Sequence, residues 1–428
     1  MKAPRAPAIA APLATALLAA TLLAGCGGSS QPDPAPTASP AAKEAGTPAR
    51  QGDATAIEAL LRRRSQALER GNAKAYAATA TGPQRLRDGE AARNAAPLRL
   101  REVELAVESA DVSGRRAKLK VRSIYRVAGI RGSFGSARRL TAVRTAQGWR
   151  IRSESSRRER HPWEVGPVAE HRSRHFVVIA PRGLDIAGAG LLDALETGYA
   201  RMGDVLKRPR LRRRYLVVVA GEARAARALT ERISGVAGLA AISDSEVRED
   251  GLAQRVTEVP SQRLIVVWPP FSTLDLDGRL RVVTHELTHA GLAGVTSGRT
   301  PAWLLEGMAL YVSEDRRAGE AAELIADATS AAARRALTLT GLSRPDAMAR
   351  LQGAGQEAAY AYASASAFYI VGRFGRKRYL ELYDVFNHED LPGKRGVDVT
   401  SRAVQRSLGV SLVRLQRDLR DWIRTQSF

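Results

Sequence analysis

Val283-Thr284-His285-Glu286-Leu287-Thr288-His289 is the stretch on which the reading of this chain turns. Two histidines four residues apart lie on one face of a helix, about one turn from each other, so both imidazoles can reach a single metal ion. Glu286 falls about 100° further round the same helix, beside such an ion, where it can take a proton from metal-bound water. Val282, Val283, Leu287 and Leu292 supply the apolar surface that would bury the helix. With six histidines in 428 residues, chance yields this pattern on the order of 0.005 times per chain. Coincidence is a poor account of it.

A hydrolytic metal site needs a third protein ligand and an open fourth position. A histidine six residues beyond His289 would be one solution, but position 295 is Val. His161, His171, His175 and His388 stand in no motif and read as surface or packing residues. Glu306, seventeen residues after His289, is the better candidate. It sits in Thr300-Pro301-Ala302-Trp303-Leu304-Leu305-Glu306-Gly307-Met308-Ala309-Leu310-Tyr311-Val312. That run predicts a second helix, with Thr300 as cap, Pro301 at its first position and a buried stripe of Leu304, Leu305, Met308 and Val312. A carboxylate among such residues is costly unless a metal compensates it; read otherwise, Glu306 is a partly exposed surface acid. Gly291, Gly294 and Ser297-Gly298 supply the turn between the helices.

Upstream, residues 175–180 and 214–220 are short apolar runs that read as buried strands, separated by helical patterns at 187–206 and 222–232. A third run, 262–268, stops at Pro269-Pro270, which predicts an edge strand where an extended peptide could add by main-chain hydrogen bonds. Segments 234–260 and 316–345, rich in Gly, Ala, Ser and charge, carry no readable pattern.

His285-Glu286-x-x-His289 followed by Pro301-x-Trp303-Leu304-x-Glu306-Gly307-x-Ala309-x-Tyr311 resembles the peptidase MA-like family of gluzincin metallopeptidases. The likeness extends over about residues 174 to 425, through Ala359-Tyr360-Ala361-Tyr362-Ala363-Ser364, Tyr369-Ile370-Val371-x-Arg373-Phe374-Gly375 and Leu408-Gly409-Val410-Ser411-Leu412 to Trp422. It implies a sheet-plus-helix lobe carrying the metal helix, a helical C-terminal lobe, and a cleft between them. It also implies a Zn2+ ion held by His285, His289 and Glu306, with Glu286 as general base in the hydrolysis of a peptide or protein substrate. In such enzymes a Tyr or His of the helical lobe often stabilises the developing oxyanion; Tyr360, with Tyr362 second, is the candidate here. Those tyrosines read equally as packing residues of a helix pair.

Ahead of this domain, residues 54–80 carry Ile57, Leu60, Leu61, Ala67 and Leu68 at helical spacing, with Arg62, Arg63 and Arg64 on the wet side. The period then changes to two. Leu98, Leu100, Leu119, Val121, Tyr125, Leu140, Val143, Trp149 and Ile151 alternate with Lys, Arg and Glu, Arg138 and Arg139 among them. This pattern predicts an antiparallel sheet covered on one side by the leading helix. The element order, with Gln147-Gly148-Trp149-Arg150-Ile151 near its end, resembles the nuclear-transport-factor-2-like (SnoaL-type) fold. Residues 51 to 170 hold 25 Lys+Arg against 13 Asp+Glu, so this face could bind anionic cell-wall polymers or lipid head groups, or simply be solvated. No aromatic-basic motif accompanies the charge, which argues against nucleic acid.

At the start, Lys2 and Arg5 precede an almost wholly apolar run from 8 to 24 that ends in Leu23-Ala24-Gly25-Cys26. The order is that of an export signal, and the tetrapeptide resembles the bacterial lipobox, whose cysteine receives a diacylglyceryl group. The other reading is an uncleaved membrane anchor. Either places the remainder outside the cytoplasm. Cys26 is the one cysteine, which excludes an intramolecular disulfide and a thiolate zinc site. No later run approaches 18 apolar residues, so a polytopic membrane protein is excluded. A composition of 44% hydrophobic and 26% charged residues excludes a mostly disordered chain.

The expected architecture is therefore α+β: a signal peptide over 1–25, a Pro/Gly/Ser tether over 26–53, a basic helix-plus-antiparallel-sheet module over 54–160, and a gluzincin-type metallopeptidase domain over 170–428. The alternative is a non-catalytic lipoprotein that binds anionic envelope polymers and keeps a structural metal.

Overall fold

Apolar alternation along residues 100–155 builds a four-stranded antiparallel meander, and three helices lead into it. In the computed structural model these are α1 (Gln51–Glu69), α2 (Ala73–Ala78) and α3 (Pro83–Ala95), then β1 (Leu100–Ser113), β2 (Arg116–Val127), β3 (Phe134–Thr145) and β4 (Gly148–Ser155), paired in chain order. The described residues are 51–156, 159–207, 211–230, 240–250, 254–316, 321–327, 335–388, 391 and 396–425. The export signal, Cys26 and the tether as far as residue 50 lie outside them. No helix among the described residues is long and apolar enough to cross a membrane.

Ile57, Leu60 and Leu61 of α1 pack on Leu119, Val121, Leu140, Trp149 and Ile151 of the sheet, as the alternation predicts. Three local readings are corrected. The tether ends earlier than 53, because α1 begins at Gln51 and Asp53 is buried, paired with Arg144 and accepting from Trp149 Nε1 at 3.3 Å. The helix expected over 54–80 breaks at Gly71, which takes φ +64°, and Asn72 Oδ1 accepts from Ala75 N to cap a new helix. Arg64 and Arg138, read as solvent-facing, point inward. Position 64 lies on the same stripe as Leu60, Leu61 and Leu68, so the helix carries its guanidinium into the module. There it meets Asp88 (2.9 Å) and Glu154 (2.6 Å) and stacks over Tyr76, while Arg138 pairs with Glu164 at 3.0 Å. The charged face that does reach solvent carries Arg116, Lys118, Lys120 and Arg122.

The short helix α4 (Pro162–Val165) opens with His161, which is buried and 2.9 Å from Ser123 Oγ. Burial, with Arg138 and Arg263 nearby, holds its pKa well below the usual value. The unfolded chain therefore takes up the proton first, and stability falls as pH drops below about 6.5. The urea midpoint of the wild type should fall between pH 7.5 and 5.5 by more than that of His161→Gln; equal shifts would remove His161 from the acid response.

The second sheet has five strands in the order β5 (Val168–Arg172), β6 (Phe176–Pro181), β7 (Tyr215–Ala220), β9 (Val256–Val267) and β8 (Ala241–Glu249). β6, β7 and β9 run parallel; β5 and β8 are antiparallel edges. β7 is buried at every position, so both faces of the sheet are covered. On one face lie α5 (Leu191–Leu206) and α8 (Leu276–Leu292). On the other, Val177, Ile179, Leu216, Val218 and Ile265 share a core with Tyr125, Val127, Phe134 and Trp163 of the N-terminal module and with α6 (Ala223–Leu229).

The edge assignment of residues 264–268 is corrected: β9 is interior, between β7 and β8. Pro269 and Pro270 lie past its last paired residue, inside α7 (Trp268–Ser272), so they end the strand lengthwise without exposing its side. The edge is β8, from the segment in which the sequence offers no strand pattern. Beyond α8, the described residues form helices and connecting turns: α9 (Ala302–Val312), α10 (Ala321–Asp327), α11 (Ala354–Phe374), α12 (Arg376–Val385), α13 (Val397–Leu408) and α14 (Leu412–Thr425). The chain is thus mixed α and β.

Candidate metal centre

The helix bearing both histidines, α8, starts with Asp275, whose Oδ1 accepts from Gly278 N at 2.7 Å. It lies against α5 at the close approach of Gly198, where a Cβ would come 2.7 Å from Thr284 Oγ1. Thr284, next to His285, is fully buried by this contact. The turn to α9 is pinned by its own side chains: Thr296 Oγ1 donates to Leu292 O, Ser297 N to Thr300 Oγ1, and Ser297 Oγ to Phe386 O. Thr300 therefore serves this turn and not the helix; Pro301 is the N-cap residue of α9 and no side chain caps it. Gly291 belongs to α8, where a Cβ would press on Met202 Sδ. α9 then delivers Glu306 to the histidines.

Glu306 Oε2 lies 3.2 Å from His285 Nε2 and 3.4 Å from His289 Nε2, and the two ring nitrogens are 3.1 Å apart. All three residues are buried, and among the described residues they are the one His/Cys/Asp/Glu group close enough to hold an ion. Tetrahedral bonds of 2.0–2.1 Å place ligand atoms about 3.3 Å apart, so this triangle matches zinc. Two imidazoles and a carboxylate suit the same ion. Burial alone would raise the Glu306 pKa, but His289 and the imidazole contacts pull it to about 2. His289 is lowered by burial yet raised on balance by Glu306, and burial holds His285 down despite Glu306. The Glu306 carboxyl and the His285 imidazole are thus both shifted toward the deprotonated forms that a metal requires.

Glu286 does not join the triangle. Its Oε2 accepts from Ser243 N on β8 at 2.6 Å, and burial with the nearby Glu306 charge raises its pKa to about 7. The helical phase read from sequence is thus the one the structure holds.

The tyrosines sort differently. α11, with Tyr360 and Tyr362, packs along α9, and both rings are buried. Tyr362 is raised by burial and engaged by the Leu339 backbone. A further buried phenol, Tyr383 on α12, lies 2.7 Å from Thr296 Oγ1; burial, with a smaller contribution from the Glu306 charge, raises its pKa. Sequence reasoning missed it, although Tyr379 and Tyr383 at i, i+4 on a helix otherwise rich in charge were a signal. It also missed Ser243 and Asp315, whose charge is felt at His285. A backbone N–H leaves no mark in a sequence, and Asp315 lies three residues past the end of α9.

Compared with known proteins, the chain matches no family model and no curated protein.

Proposed function

We propose that the protein is an extracytoplasmic, lipid-anchored zinc metallopeptidase that hydrolyses peptide bonds in the cell envelope. The reading is carried by one observation: three buried ligand atoms converge at 3.1, 3.2 and 3.4 Å while Glu286 stands beside them, tied to β8. The lipid anchor rests on Leu23-Ala24-Gly25-Cys26 alone. The peptidase assignment draws on the resemblance to the gluzincins.

His285, His289 and Glu306 would hold the ion. When bound, it supplies Lewis acidity, which acidifies a water molecule and polarises a carbonyl. Glu286, with a pKa of about 7, can accept a proton from the attacking water and return it to the leaving amine. The Ser243 N–H fixes the carboxylate so that one oxygen is anchored and the other is left for that traffic. β8 is an edge strand, to which an extended substrate backbone can add, a role the sequence assigned to the 262–268 run. Tyr360 is the proposed oxyanion donor, with Tyr383 its nearest rival by virtue of its coupling to Glu306.

A structural ion in a non-catalytic lipoprotein is the second reading, and near-complete burial favours it: His285, His289 and Glu306 are only 2%, 3% and 2% exposed. Against it stands the count of three converging ligands among the described residues, where a closed site uses four. Purified protein should contain about one zinc per chain and cleave an unfolded protein substrate until a chelator is added. Metal-free protein, or cleavage indifferent to chelation, would overturn the assignment.

A further inference from the structure

Away from the metal centre, a cleft of about 910 Å3 opens where the loop between β2 and β3 meets the approach to β7, the β8–β9 hairpin and the end of α8. Among the described residues, six arginines line it: Arg126 and Arg131 from the N-terminal module, Arg212, Arg213 and Arg214 before β7, and Arg248 on β8. The one carboxylate among these described lining residues is Glu258, and it pairs with Arg248 at 2.7 Å. Arg126 pairs with Glu102 at the rim. Among the described residues, Arg131 and Arg213 have no ion-pair partner.

The cleft is assembled from two parts of the chain. Arg212 donates to Arg131 O (2.9 Å) and to Val259 O (2.6 Å), and Ser133 N donates to Pro260 O. Gly132, at φ +104°, passes so close that a Cβ would run into the Pro260 carbonyl. This clasp forces like charges together. Burial above all, and in smaller part the neighbouring Arg131, lowers the Arg212 pKa.

We propose that the cleft binds a ligand bearing two or more phosphate groups, of the oligophosphate class. Guanidinium forks match phosphate oxygens bidentately, and each phosphate brings up to two charges, so two of them offset most of the excess. The volume falls within the range of ligand pockets and well beyond one phosphate. A recess between two sheets does not fit a flat bilayer, and Lys118, Lys120 and Arg122 are not among its lining residues. The proposal stands whether or not the protein is a peptidase.

Calorimetric titration of the full chain with inorganic tripolyphosphate at moderate salt tests it. Wild type should bind, and the pair Arg131→Gln, Arg213→Gln should bind at least tenfold more weakly. Arg417→Gln with Arg420→Gln on α14, exposed and equal in charge change, should leave affinity intact. Gly132→Ala keeps every arginine yet should also weaken binding, since the loop must lift from Pro260; its melting curve reports whether it folds. Equal losses from the α14 pair would reduce the effect to net charge. Citrate binding as tightly as tripolyphosphate, or binding confined to vesicles of anionic lipid, would overturn the ligand class.

Discussion

Glu286→Gln is expected to keep its zinc and lose its activity. The amide is nearly isosteric with the carboxylate, and its oxygen can still accept from Ser243 N, so β8 and the metal helix should stay where they are. What disappears is the group proposed to take the proton. General base catalysis contributes roughly 10²–10⁴-fold, and kcat/KM should fall by that much. Metal content and melting temperature are the controls. Retention of zinc with a loss of this size separates a proton-transfer role from a structural one. Undiminished hydrolysis in the variant would end the assignment of Glu286 as base and leave the structural-ion reading in the stronger position.

Glu306→Ala should act one step earlier, on the ion itself. Two imidazoles remain at 3.1 Å, but the charged ligand is gone and with it the neutralisation of the site. Changes to residues that merely support metal ligands cost about 10–100-fold in affinity, and removal of a ligand should exceed that. Zinc in thousandfold excess over its Kd stabilises a protein by about 4 kcal/mol, so wild type should melt several degrees higher with the metal than without it. In the variant that difference should vanish. Were Glu306→Ala to bind zinc as tightly as wild type, the third ligand would have to be sought elsewhere.

How much of this was legible in the sequence depends on the length scale of each signal. His285, Glu286 and His289 lie within one helical turn, and helical geometry fixes their relation before any tertiary contact exists. Glu306 was readable because a lone acid in so apolar a helix asks for a partner. Beyond that range, local pattern fails. β8 begins with two apolar residues and continues with polar ones, Ala241-Ile242-Ser243-Asp244-Ser245, and is a strand because β9 offers it a ladder. The prolines after β9 were informative about where it stops and misleading about what lies beside it. Arg64 and Arg138 look like solvent charges until Asp88, Glu154 and Glu164 arrive from distant segments. Tyr383 reaches the neighbourhood of Glu306 only through the fold of the helical lobe, which no short motif encodes.

The shared core beneath the second sheet bears on how the chain can be taken apart. Ile179, Leu216, Val218 and Ile265 share their cover between α6 and Tyr125, Val127, Phe134 and Trp163 from the N-terminal part of the chain, and without that part they would lie on a more exposed apolar floor. A truncated chain starting near residue 168 is therefore expected to aggregate, and its inactivity would say nothing about catalysis. The part of the chain that carries the candidate metal centre is not a cassette that could be moved to another protein by itself; whatever is fused ahead of it must bring an apolar surface of the same shape.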